Sequence, residues 1–160
     1  MMGLAKFGAQ GGDVSQVASV ASFFSSRIDT AIDAIATARL KTAASASERA
    51  LLRSIIGKVA IATARLTYQR YKELHRSARW QALAPPWAPP QRLLWASTST
   101  KNPNLRDVLY VEELIGPDTV NTVPAATFDA FRDHGRLRPS LEENLEEAHD
   151  TMEILAQVGI

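Results

Sequence analysis

Apolar positions along the chain follow two kinds of spacing. After the turn cluster Gly11-Gly12-Asp13, the run Val14 to Phe24 crowds small and β-branched residues without strict alternation. That is how a short strand buried on both faces reads, and it predicts a strand over 16–22. Ser25 and Ser26 then offer an N-cap for a helix over 26–40 with Ile28, Ile32, Ile35 and Leu40 on its apolar positions. The longest helical pattern runs over 46–83 with Ser47 as its cap. Leu51, Ile55 and Val59 recur at four-residue steps, and Leu52, Ile56, Ala62 and Leu66 widen the stripe. The proline-rich segment 84–91 ends it, because proline lacks a donor and disfavours helix before it. A second short strand is predicted over 92–97 and a helical turn over 108–115. A third strand falls over 119–123, and a helix opens at Pro124 and closes at Gly135. Ser140 and Glu143 form a capping-box pattern for a last helix reaching about Val158.

Strands separated by long helical crossovers give an α/β order with parallel strands. Composition narrows the class. The chain has 160 residues, a formal net charge of +1 and no cysteine. The length suits one domain. The near-neutral charge argues against a globally basic nucleic-acid binder. Without cysteine there is no disulfide, thiol nucleophile or thiolate metal site, which suits a cytoplasmic location. No apolar run is long enough for a membrane-spanning helix, and the opening MMGLAKFGAQGGD lacks a signal-peptide layout. Charge is unevenly distributed: between Arg39 and Arg79 there are ten Lys/Arg and two Glu, whereas the last helix gathers the acids. Both are expected to be solvated faces.

Candidate chemistry gathers where the strands end. Ser22 closes the first strand, with Arg27 just beyond. Ser97 closes the second, followed by Thr98, Ser99, Thr100 and Lys101. The third carries Asn121 and Thr122. Hydroxyls, a guanidinium, an ammonium and a helix N-terminus are suitable donors to a phosphate. By residue type alone, capping hydroxyls and solvated charges are the more economical reading. No glycine-rich phosphate loop is present. His75, His134 and His149 lack metal-ligand spacing, so no metal and no cofactor are expected. Trp80, Trp87 and Trp95 read as packing residues. None of the lysines, at 6, 41, 58, 72 and 101, has the apolar strand context that lowers an amine's pKa for Schiff-base chemistry.

Three long stretches resemble one family: VASVASFFSSRID (17–29), WASTSTKNP (95–103) and LYVEELIGPDTVNTVP (109–124). They are similar to transaldolase, and nearest to a bacterial branch that includes fusions with phosphoglucose isomerase; GKVAIATARLTY (57–68) also looks like that branch. The resemblance implies a partial (β/α)8 barrel comprising about the last three β/α units, with 16–22, 92–97 and 119–123 as the sixth, seventh and eighth strands. A complete barrel takes about 250 residues. It implies transfer of a dihydroxyacetone unit between sugar phosphates of the pentose phosphate pathway: fructose 6-phosphate, sedoheptulose 7-phosphate, erythrose 4-phosphate and glyceraldehyde 3-phosphate. Ser22 matches the family's substrate serine on the sixth strand, Arg27 a phosphate-binding arginine and Ser97 a phosphate serine on the seventh. Lys101 is the nearest stand-in for a second phosphate arginine that has no clean match. The family's Schiff-base lysine, on the fourth strand, has no counterpart here, so the chain is expected to bind phosphate and to be inactive alone. The alternative expectation is a non-catalytic module that associates with itself, or with a complementary half-barrel, through exposed strand edges. No nucleic-acid or membrane partner is expected.

Overall fold

A computed structural model describes residues 2–83 and 89–160. Helix α1 (Met2–Ala9) precedes strand β1 (Val20–Phe24), helix α2 (Ser25–Leu40), then α3 (Ala46–Ile55), α4 (Val59–Arg76) and α5 (Ala78–Leu83). Strand β2 (Arg92–Ala96), the short helix α6 (Leu109–Glu112), strand β3 (Thr119–Asn121), helix α7 (Ala125–His134) and helix α8 (Leu145–Gln157) complete the order. The strands form one parallel sheet in the order β1-β2-β3, with Ser22 opposite Leu94, Phe24 opposite Ala96 and Trp95 opposite Asn121. The α/β class with parallel strands is therefore as expected. Of the proline-rich connection, residues 84–88 lie outside the described residues.

The helical stretch read as one element over 46–83 is three helices. Ile56 is extended and Gly57 takes φ +71, a left-handed conformation that glycine adopts without the Cβ penalty. Asp33 accepts the Gly57 amide at 2.9 Å and Asp29 accepts the Ala60 amide at 2.8 Å, so two carboxylates of α2 satisfy the start of α4. Three caps also differ from expectation. Ser45, not Ser47, caps α3: its hydroxyl accepts the Glu48 amide at 3.0 Å, and Glu48 accepts the Ala44 amide in return. Ser25 and Ser26 lie inside the first turn of α2 and make no capping bond. Ser140 sits in a 3-10 turn, its hydroxyl accepting the Ile115 amide at 3.0 Å, and α8 begins only after Asn144.

Apolar burial divides between two clusters. One lies between the sheet and α4, where Leu93 and Trp95 meet Ala64, Tyr68, Tyr110 and Leu141, with Phe23 edge-on to Trp95. The other joins α2, α3, α4 and α8 through Ala36, Leu52, Ile55, Val59 and Leu155. One face of β1, carrying Ala21 and Phe23, is thus spent on packing. The opposite face, carrying Val20, Ser22 and Phe24, is exposed. The uneven charge also finds a structural reason: basic α4 lies against the acidic end of the chain, with Lys58 paired to Glu147 at 3.0 Å and Lys72 to Glu142 at 2.6 Å. These faces are therefore not merely solvated. Among the described residues no helix is long and apolar enough to cross a membrane.

Candidate functional site

Parallel strands place their C-terminal ends at one edge of the sheet, and the first turn of α2 follows β1 without a loop. Two residue types therefore meet there: side chains of the exposed strand face and donors of a helix N-terminus. Ser22 stands on that exposed face between Val20 and Phe24. The Arg27 guanidinium lies 4.5 Å above the Phe24 ring, a cation–π contact that holds its charge over the same face. Ser97 follows β2 with φ +53, an unusual conformation for serine that collects at functional sites. Its carbonyl accepts the Ser26 amide at 3.1 Å, tying the end of β2 to the first turn of α2. Arg27 and Ser97 thus lie at the C-terminal end of the sheet, whereas Ser22 does not close β1 as expected but is its middle residue, opposite Leu94, because the strand runs on through Phe24.

Lys101 is placed differently. Its ammonium donates to Ser99 Oγ at 3.0 Å. It borders a cleft of about 200 Å³ together with Ser26, Asp29, Thr30 and Asp33, on a side of α2 away from Arg27. Asn121 is engaged as well: Thr98 donates to its Oδ1 at 2.8 Å, linking the ends of β2 and β3. The lysines lie on helices or in loops, and none is in a strand. Among the described residues no group of three or more His, Asp or Glu is arranged to hold a metal ion. His75 belongs instead to an aromatic row with Tyr71 and Trp80. His134 bonds Asp107 at 2.9 Å, and bonds to Asp107 and Asp133 raise its pKa.

Residue-type reasoning overlooked the groups beneath this end of the sheet. Asp29 is buried, and its second oxygen accepts the Tyr110 hydroxyl at 2.6 Å. Burial pushes its carboxyl above the usual range, against the opposing pull of the Tyr110 and Ala60 bonds. The same burial, together with the Asp29 charge, pushes the Tyr110 hydroxyl up. The Ser25 and Ser26 hydroxyls are buried without a hydrogen-bond partner. The signal available in sequence was the spacing of Asp29 and Asp33 one helical turn apart, beside Ser26 and Thr30.

A three-stranded parallel α/β sheet with helices packed on one face is the class of fold the structure defines. Comparison with known proteins names the family. Residues 4–160 match the family model described as transaldolase/fructose-6-phosphate aldolase, and the chain belongs to that family. It is 50% identical over 158 residues to a transaldolase of Trichodesmium erythraeum, covering 99% of this chain. Identity is 53% over 159 residues to a transaldolase 2 of Nostoc sp. and 54% over 159 residues to a transaldolase 2 of Nostoc punctiforme. The chain spans about 42% of the length of these relatives.

Proposed function

We propose that this chain carries the phosphate-binding part of a transaldolase site, formed by Ser22, Arg27 and Ser97, with Lys101 entering only when its ammonium leaves Ser99. The observation that supports this reading is the Arg27 guanidinium lying over Phe24, on the exposed strand face that also carries Ser22, with Ser97 joined through its carbonyl to the helix that bears Arg27. A charged fork beside hydroxyl donors and a helix start suits a phosphate monoester. The ligands are sugar phosphates, fructose 6-phosphate foremost, in transfer of a dihydroxyacetone unit. This chain alone does not turn over: Schiff-base chemistry needs a desolvated lysine in an apolar strand, and its lysines stand on helices and loops. Two measurements test the reading. Titration with fructose 6-phosphate is expected to give saturable binding that Arg27→Ala weakens at least about tenfold; equal binding by wild type and variant overturns the phosphate site. Borohydride reduction with fructose 6-phosphate is expected to leave the mass of the chain unchanged; a stable adduct overturns the inactivity.

A second reading is favoured by one observation, the exposure of Val20 (42%) and Phe24 (41%) on the uncovered face of an edge strand. Such a face suits a non-catalytic module that associates with itself.

A further inference from the structure

We propose that Asp29 is a positioning residue for Arg27: its bonds to the start of α4 and to Tyr110 fix the roll of α2 and so aim the guanidinium at the phosphate. The inference rests on the phosphate reading above. At 3.6 residues per turn, positions 27 and 29 stand about 200° apart around the helix. Anchoring one side therefore determines where the other points. Asp29 reaches two separate elements from the buried side, the Ala60 amide at 2.8 Å and the Tyr110 hydroxyl at 2.6 Å. Arg27 leaves from the opposite, exposed side and lies over Phe24. The bond from the Ser26 amide to the Ser97 carbonyl fixes the start of α2 along its axis, and Asp33 anchors the next turn on the same side through the Gly57 amide; Asp29 is the anchor in the turn that bears Arg27. Ile28 and Ile32 pack in the core, and apolar contact is non-directional.

Stability alone is a poor account of this arrangement. A buried carboxylate costs desolvation that a well-packed apolar pair avoids, and burial raises the Asp29 pKa. What the carboxylate supplies is direction: two bonds at fixed angles to α4 and α6. Tyr110 lies nine residues beyond Lys101, at the far end of the connection that carries Ser97, Ser99 and Lys101. The same pair therefore also holds that loop against α2.

The test uses the full chain, titrated with inorganic phosphate and with fructose 6-phosphate while the Arg27 Nε–H resonance is followed by NMR. Variants are Arg27→Ala, Tyr110→Phe, Asp29→Asn and, as a matched control, Tyr68→Phe. The control loses a comparable buried hydroxyl bond, 3.1 Å to the Pro117 carbonyl, at the far end of the sheet. Tyr110→Phe and Asp29→Asn are expected to weaken binding about three- to tenfold and to shift the Arg27 resonance in the free chain. Tyr68→Phe is expected to stay within about twofold of wild type. If Asp29→Asn does not fold, Tyr110→Phe, which removes one oxygen, decides. Unchanged affinity in Tyr110→Phe beside a large loss in Arg27→Ala overturns the positioning role and leaves the phosphate site standing. Equal weakening by Tyr68→Phe overturns it too, by reducing it to general destabilisation. No loss in Arg27→Ala overturns the phosphate site itself and the positioning role with it.

Discussion

Asp33 and Glu142 respond to pH in opposite senses, because one is buried against backbone and the other faces an ammonium. Burial raises the Asp33 carboxyl above its ordinary 3.8, partly offset by the Gly57 amide. The folded chain then holds that proton more tightly than the unfolded chain. Its contribution to stability is full below 3.8 and is lost as pH rises through the raised folded value. Glu142 is held below its ordinary 4.5 chiefly by its hydrogen bond to Lys72. Its contribution is full above 4.5 and is lost as pH falls through the lowered value. Urea midpoints from pH 3 to 7 separate the two. Asp33→Asn keeps the acceptor for Gly57 and is expected to remove a fall in stability on the rising side of that range. Glu142→Gln is expected to remove a fall on the acid side. The effect of Glu142 is the smaller one, since an exposed pair is worth only about 0–1 kcal/mol. Parallel pH curves for wild type and Asp33→Asn would contradict the assignment of that slope to Asp33.

At the scale of elements, the break between α3 and α4 turns on a single glycine. Gly57 combines φ +71 with a close neighbour: a Cβ there would meet Leu105 Cδ2 at 3.1 Å. Gly57→Ala is expected to cost about 1–3 kcal/mol, from left-handed strain plus displacement of Leu105, read as a lower urea midpoint at constant slope. Little change would mean that α3 and α4 can join without loss. This is also where the sequence was least legible. The stripe Leu51, Ile55, Val59 keeps its period across the break, so periodicity reports one helix, and only the glycine hints at two. The strands were legible in kind and order, since runs of small and β-branched residues between helical crossovers admit little else. The boundary of β1 was read early by up to four residues, because the small and β-branched residues that signal a strand begin well before Val20. Caps were the weakest reading. Ser45 and Ser47 are equivalent by type, and the choice falls on Ser45 because Glu48 stands three residues on and closes the reciprocal box. Of the proposed site, Arg27 and Ser22 were suggested by the family-like motif. Asp29 and Tyr110 were not, because their role exists only once α2, α4 and α6 are brought together.

At the scale of the whole molecule, the near-zero net charge conceals a designed match, and the sheet conceals an imbalance. Basic α4 meets the acidic C-terminal region across a shared interface, through the Lys58–Glu147 and Lys72–Glu142 pairs. The sheet is different: helices cover one face, while the other presents Val20 and Phe24 beside the polar Ser22, and β1 is the edge. Full burial of a large apolar side chain is worth roughly 1.5–3 kcal/mol, and these two are already more than half covered. Two copies meeting face to face would regain about 5 kcal/mol at most by that measure, from four side chains each about two-fifths exposed, against an association cost of about 4 kcal/mol or more. These two residues alone therefore bring the balance only to about zero, whereas a dimer near millimolar concentration needs about 4 kcal/mol net; the self-association reading rests on edge pairing by β1 supplying it. Sedimentation velocity over a concentration series is expected to show a coefficient that climbs at the top of the range. Val20→Lys places a charge on the edge strand, the device by which natural sheets block edge pairing. It is expected to abolish the climb while leaving the circular dichroism unchanged, because the Val20 side chain points away from the packed face. A wild-type coefficient that stays flat to millimolar concentration would remove the support for self-association and leave the exposed face to its ligand alone.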